Sequence, residues 1–216
     1  PILFGAFYGL RRSEAIGLKW DAIDFDQNTI TIRHTVTSCD LDGKRVLVAS
    51  DTTKTKSSMR TLPLVPFMRE RLLALKEEQQ ENRRLCGRSY IKDYLEYVCV
   101  NEIGDLIKPH YVTESFPKLL KAKGLRHVRY HDLRHSCASL LLANGVPMKQ
   151  IQEWLGHSDF STTANIYAHL DYSSKLTSAD AMLNGLGIGS PQNSPRCKRG
   201  GTENADKKPL EGSSIA

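Results

Sequence analysis

The chain has 216 residues, 40% hydrophobic and 25% charged, enough to bury the core of one domain with length to spare. Thirty lysines and arginines against 24 acidic residues give a formal charge of +6 and a pI near 9.1, which favours an anionic partner. Five cysteines, Cys39, Cys86, Cys99, Cys137 and Cys197, form no C-x-x-C pair, which excludes a disulfide framework or a zinc knuckle and predicts a reducing, cytoplasmic setting. No apolar run nears the roughly 20 residues of a bilayer span, so no membrane partner is expected.

The chain begins inside an apolar segment, Pro1 to Tyr8, without a methionine or a cap, and is expected to be a fragment lacking its N-terminal part. Residues 2–9 predict a buried helix stopped by Gly9. Ser13 or a neighbour caps a second short helix through Leu18, which sets Arg11 at a turn where its side chain can point into a cleft, although a surface arginine would look the same. From Asn28 to Val36, Ile30, Ile32 and Val36 alternate with Thr29, Thr31, Arg33 and Thr35, the pattern of a half-buried strand. A turn at Asp40-Leu41-Asp42-Gly43 leads to a second strand at Val46 and Val48, and Leu62 and Leu64 mark a third, together a small antiparallel sheet. The polar tip from Thr53 to Arg60 holds Lys54, Lys56 and Arg60 and suits phosphate contacts, as well as ordinary solvation.

Residues 66–84 read as a scaffold helix with Met68, Leu72 and Leu75 inward. Tyr97 to Val100 reads as a short strand, and Thr113 or Glu114 to Lys123 as a helix closed by Gly124. A helix over 131–143 has Leu133, Cys137, Leu140 and Leu141 as its core stripe, with His131, Arg134 and His135 sharing another side. Asn144-Gly145 ends it, Pro147 starts the next, and Met148, Ile151 and Leu155 face inward until Gly156 stops that helix and aims His157 back. Ser161 is a plausible cap for a third helix carrying Tyr167, and 173–183 reads as a terminal helix. Beyond Gly185 the composition turns to Gly, Ser, Pro, Asn and Lys, which predicts a disordered tail over 185–216 or a frameshifted end.

This set of residues has a chemistry. A tyrosine hydroxyl ionises near pH 10, so about one in a thousand is phenolate at neutral pH, and attack on phosphorus needs cationic surroundings and a proton acceptor. Two arginine forks suit the non-bridging oxygens of a phosphodiester, histidine can bond the same group, and lysine can protonate a leaving oxygen. A covalent phosphotyrosine would conserve the energy of the broken bond and require no nucleotide cofactor.

Over roughly residues 1–184 the sequence resembles the catalytic domain of the tyrosine recombinases, the phage-integrase family, and mobile-element integrases most of all. The motifs are Gly-Leu-Arg-x-Ser-Glu at 9–14, Arg60-Thr61-Leu62-Pro63-Leu64, His-Asp-Leu-Arg-His at 131–135, Leu-Gly-His at 155–157 and Ser-Thr-Thr ahead of Tyr167. The resemblance implies an α+β, mostly helical tyrosine-recombinase catalytic fold with a small antiparallel three-stranded sheet. It implies a site-specific recombinase that needs neither metal nor nucleotide, with Arg11 and Arg134 clamping the phosphate and Tyr167 the nucleophile. His131 and His157 would bond the phosphate, with His131 accepting the tyrosine proton. Lys54 would be the general acid, with Lys56 two residues away on the same tip, and Glu14 a supporting partner. Arg12, Lys56 and Arg60 would touch DNA. His135 and His169 are left outside the catalytic set. The expected partners are double-stranded DNA, three further copies in a tetramer on two paired sites, and an accessory directionality factor. The core-binding and arm-binding domains of such proteins are not recognisable here.

Two other readings remain in view. His131-Asp132-x-x-His135 with His157 imitates a helical zinc site, but Arg134 would set a fixed positive charge beside the cation. A DNA-binding fragment without catalysis is the second, although every expected catalytic position is filled.

Overall fold

The structure, a computed structural model, describes residues 1–51 and 59–157, so the expectations for Lys54, Lys56, Ser161, Tyr167, His169, the 173–183 helix and the tail lie outside the described residues. Helix α1 (Ile2–Tyr8) ends at Gly9, whose φ of 61° is the left-handed conformation that glycine adopts without a Cβ penalty. A Cβ there would lie 2.4 Å from the Leu155 side chain, so the turn is closed by packing as well as by backbone geometry. Helix α2 (Arg12–Gly17) follows, capped not by Ser13 but by Arg11 in extended conformation.

The strands form two sheets rather than one. Strands β1 (Ile23–Asp24), β2 (Thr29–Ile32) and β5 (Arg60–Pro63) make an antiparallel three-stranded sheet in the order β1-β2-β5, with Ile30 opposite Leu62. Strands β3 (Thr35–Leu41) and β4 (Lys44–Ser50) pair only with each other, closed by a two-residue turn with positive φ at Asp42 and Gly43. The alternation from Ile30 to Val36 keeps one parity, and His34 is buried in it, so the side-chain pattern runs on while the hydrogen-bond partner changes from β5 to β4. Past Val36 the ribbon turns into solvent, with Leu41 62% exposed.

Helix α3 (Pro66–Cys86) buries Met68 and Leu72 on one stripe. Residues 97–100 make only isolated bridges, Lys19 to Tyr97 and Val100 to Leu106, instead of a strand. Helix α4 (Pro109–Ala122) starts earlier than expected because Pro109 supplies a preset first turn. Helices α5 (Asp132–Ala143) and α6 (Met148–Leu155) pack on each other. The α5 stripe also differs: Arg134, Cys137 and Ala138 point inward at helical spacing, and Leu140 is 65% exposed. One core of Phe4, Tyr8, Ile16, Ile30, Ile32, Leu62, Met68 and their neighbours sits between the first helices and the sheet, and a smaller one joins α5 to α6. No described helix is long and apolar enough to cross a membrane.

Candidate functional site

Two turns at helix ends and the inward side of α5 bring Arg11, His157 and Arg134 together. Arg11, as the cap of α2, has its backbone N–H bound by the Glu14 carboxylate at 2.9 Å, the half of a capping box that an arginine cap permits. That bond fixes the backbone and leaves the guanidinium to reach sideways. Nη1 donates to Glu14 Oε1 at 2.8 Å and Nη2 to the Gly156 carbonyl at 3.2 Å, across 145 residues of sequence.

Gly156 terminates α6 at φ 67°, and its turn delivers His157 to Arg134 on α5. Arg134 Nε donates to His157 Nε2 at 3.1 Å, so the imidazole carries its proton on Nδ1 when neutral. The same guanidinium donates to the Gly9 and Leu155 carbonyls, both at 2.6 Å. Arg134 thus ties the end of α1 to the end of α6 from a position only 2% exposed. Its place on the inward stripe with Cys137 and Ala138 corrects the expectation that it shares with His131 and His135 a side distinct from the core stripe. Those two histidines do meet, edge to face at 5.1 Å, with His131 at the N-cap of the helix.

Arg60 is the largest departure. Expected at a DNA-facing tip, its side chain is 7% exposed and its guanidinium bonds the Trp154 carbonyl at 2.7 Å and Glu14 Oε2 at 3.1 Å. A surface contact role does not fit such burial. The signal was in the strand period: Arg60 has the parity of Leu62 and Leu64, which are both buried. Arg12, in contrast, lies on the surface and bonds the Thr113 hydroxyl.

Two guanidiniums, Arg11 and Arg60, therefore bond one carboxylate while Arg134 lies close enough to feel the charge of both, and the electrostatics follow. Burial pushes the Glu14 carboxyl up, but Arg60 and then Arg11 outweigh it and hold it below the usual carboxylate range. Burial, then the charge of Arg11, lowers Arg134 to about 9, still charged at neutral pH. Burial, then Arg134 and Arg11, lowers His157 to about 4, which keeps it neutral. His131 is lowered by burial, then by His135 and Arg134. The surplus of positive charge beside neutral imidazoles is what an anion would complete. The zinc arrangement does not form: Asp132 turns to Arg129 with contacts of 2.8 to 3.2 Å, and His157 Nε2 is taken by Arg134.

A family model, the phage integrase family, matches residues 6–174. The chain is 35% identical over 189 residues to a XerC-like tyrosine recombinase of Caldanaerobacter subterraneus, which covers 83% of this chain and 47% of that one. It is 30% identical over 189 residues to the ICEBs1 integrase of Bacillus subtilis, covering 84% of this chain and 49% of that one. The chain thus spans about half the length of these curated relatives. Among solved structures, the Tn1549 transposon integrase in complex with circular intermediate DNA superposes with a TM-score of 0.67 at 20% identity, covering 84% of this chain and 58% of that one. The XerA recombinase superposes with a TM-score of 0.59 at 21% identity, over 88% of this chain and 57% of that one, so the two share the fold.

Proposed function

The chain belongs to the phage integrase family, and on that premise we propose that residues 1–184 form the catalytic domain of a site-specific DNA recombinase. Double-stranded DNA is the substrate, a tetramer on two paired sites the working assembly with a directionality factor as accessory, and the cytoplasm the setting. The observation that carries the reading is the convergence of Arg11, Arg134 and His157, from motifs up to 146 residues apart, into one hydrogen-bonded cationic cluster.

Tyr167 Oη attacks the scissile phosphorus, its proton passes to His131, and the bond to the 5′ oxygen breaks as that oxygen takes a proton from Lys54. A 3′-phosphotyrosyl link remains. Rejoining reverses the steps: a 5′-hydroxyl from the partner strand attacks the phosphotyrosine and Tyr167 recovers its proton. Arg11, with a partly exposed guanidinium, and Arg134, buried behind it, stabilise the charge that develops on the phosphoryl oxygens. His131, with its affinity for a proton lowered, enters neutral and able to accept. His157, neutral as well, can donate from Nδ1. Glu14 holds Arg11 in place, and no metal or nucleotide has a part in these steps.

The test is trapping on a nicked suicide duplex in the presence of chelator. Wild type is expected to give a covalent protein–DNA band that survives denaturation, and Tyr167→Phe none. A band persisting in the Phe variant removes the nucleophile from this scheme, and DNA binding without any band in wild type leaves a binding fragment.

A further inference from the structure

Outside the cluster, one buried polar group has no part in these steps. His34 sits in the two-residue link between β2 and β3, is 6% exposed, and is held at both ring nitrogens. Nδ1 is 2.5 Å from Asp51 Oδ1, and Nε2 is 3.0 Å from the Tyr97 hydroxyl. With Nδ1–H donating to the carboxylate, Nε2 accepts the tyrosine O–H, so both bonds form with a neutral ring. Tyr97 is itself buried and fixed: it bridges to Lys19, stacks edge-on with Tyr94 at 6.0 Å, and lies under the Lys19 ammonium at 5.3 Å. The link also lies directly on α2. A Cβ on Gly17 would stand 2.7 Å from Thr35 Cα and 2.8 Å from the His34 carbonyl, a backbone-to-backbone approach that only glycine allows.

Asp51 has a different character. Its side chain is 83% exposed, and it follows the last rung of the β3–β4 ladder, Thr35 opposite Ser50. An exposed carboxylate at the end of a strand ordinarily turns to water. Here it turns inward to a buried imidazole, and its carboxyl is held below the usual range by the hydrogen bond from His34, with smaller help from Lys19 and Arg33. The other charged neighbours are engaged elsewhere, Lys19 with Glu96 at 3.1 Å and Arg33 with Asp21 at 2.8 Å. Asp51 is the residue from which the chain leaves for 52–58, which includes Lys54 and Lys56. At the far end of that segment Arg60 is tied to Glu14 on α2.

We propose that His34 is a positioning residue: held by Tyr97 and packed on α2, it grips Asp51 and fixes the point from which the lysine-bearing segment departs. This rests on the recombinase reading for its consequence, since the lysine delivers the proton to the leaving oxygen. A general acid contributes about a hundred- to ten-thousandfold, and a loosened anchor forfeits part of it.

The test uses the whole chain and has two arms. Asp51→Ala removes the grip by truncating an exposed side chain, and Asp51→Asn keeps an acceptor for Nδ1–H. Digestion with a lysine-specific protease is expected to cut after Lys54 and Lys56 severalfold faster in Asp51→Ala than in wild type, relative to cutting after Lys123, with Asn largely restoring the wild-type ratio. An unchanged ratio overturns the anchor. In the second arm, covalent-complex formation on the suicide duplex is expected to slow about tenfold in Asp51→Ala. The same duplex with a bridging 5′ sulfur, whose thiol ionises near pH 8.5 and needs no proton to leave, is expected to react at the wild-type rate. Equal slowing on both duplexes overturns the positioning role. If wild type forms no covalent complex on either while the protease ratio shifts, the recombinase reading fails and the anchor stands.

Discussion

Glu14 is the residue on which the site's arrangement depends most. It is 2% exposed, and its two oxygens are shared between Arg11 and the buried Arg60. Removing one partner of a buried ion pair leaves the other charge uncompensated, at a cost of about 3–5 kcal/mol. Glu14→Ala is therefore expected to lower the urea midpoint by that amount of stability and to abolish strand cleavage, whereas a surface change such as Glu81→Ala leaves both near wild type. The pH dependence has two separate windows. The Glu14 carboxyl is lowered on folding, so its contribution is complete above its unfolded value of about 4.3 and fades as pH falls through its folded value. His157 is lowered to about 4 from about 6.5, so the unfolded chain binds its proton first and stability declines as pH falls between those values. Urea denaturation at several pH values is expected to show that decline already above pH 5, and His157→Gln to flatten it. An imidazole signal of His157 titrating near 6.5 in the folded protein would contradict the burial and the two arginines that set it.

At the level of elements, much was legible because helix signals are local. Gly9, Gly145 and Gly156 punctuate the chain where expected, and each has positive φ. The sheet was less legible. Side-chain parity reports which face a residue occupies and carries no information on which strand it pairs with, so one run over 28–36 concealed a change of partner at Arg33-His34. The same limitation concealed the roles of Arg60 and His34, whose parity is that of core residues but whose types suggest the surface. The buried side of α5 was misjudged for a related reason: an arginine was weighed as polar and Leu140 as core, and the structure reverses them because Gly9 and Leu155 offer carbonyls to the buried guanidinium. Gly17 gives the element-scale prediction. Since a Cβ would press on the backbone of His34 and Thr35, Gly17→Ala is expected to push α2 off the β2–β3 link and to destabilise the fold by about 1–3 kcal/mol, as overpacked cores do. Because α2 also carries Glu14, cleavage is expected to fall with it, while Gly43→Ala, whose Cβ meets nothing within 4 Å, pays only for its positive φ. Thermal unfolding of the two variants side by side reads the difference.

At the scale of the molecule, the +6 charge is unevenly used. The arginines of the cluster are consumed internally: Arg60 and Arg134 are buried, and Arg11 shares Glu14. On the proposed DNA reading, the described residues that can attract a duplex are exposed cations such as Arg12, Lys108 and Arg129, the last two paired with Asp105 and Asp132. Surface pairs of this kind are weak, worth about 0–1 kcal/mol, so a phosphate can compete for the cation at little cost. Each phosphate neutralised releases condensed counterions, which makes affinity fall with salt at a slope of about −0.9 per contact. Fluorescence anisotropy with a generic duplex is expected to show affinity dropping by about ten- to a hundredfold between 50 and 200 mM salt. Arg12→Ala is expected to reduce the slope by about one unit, whereas Arg60→Lys, buried and already neutralised by Glu14, leaves the slope unchanged while weakening the fold. A salt-independent affinity would mean that the cationic surface is not what meets the DNA.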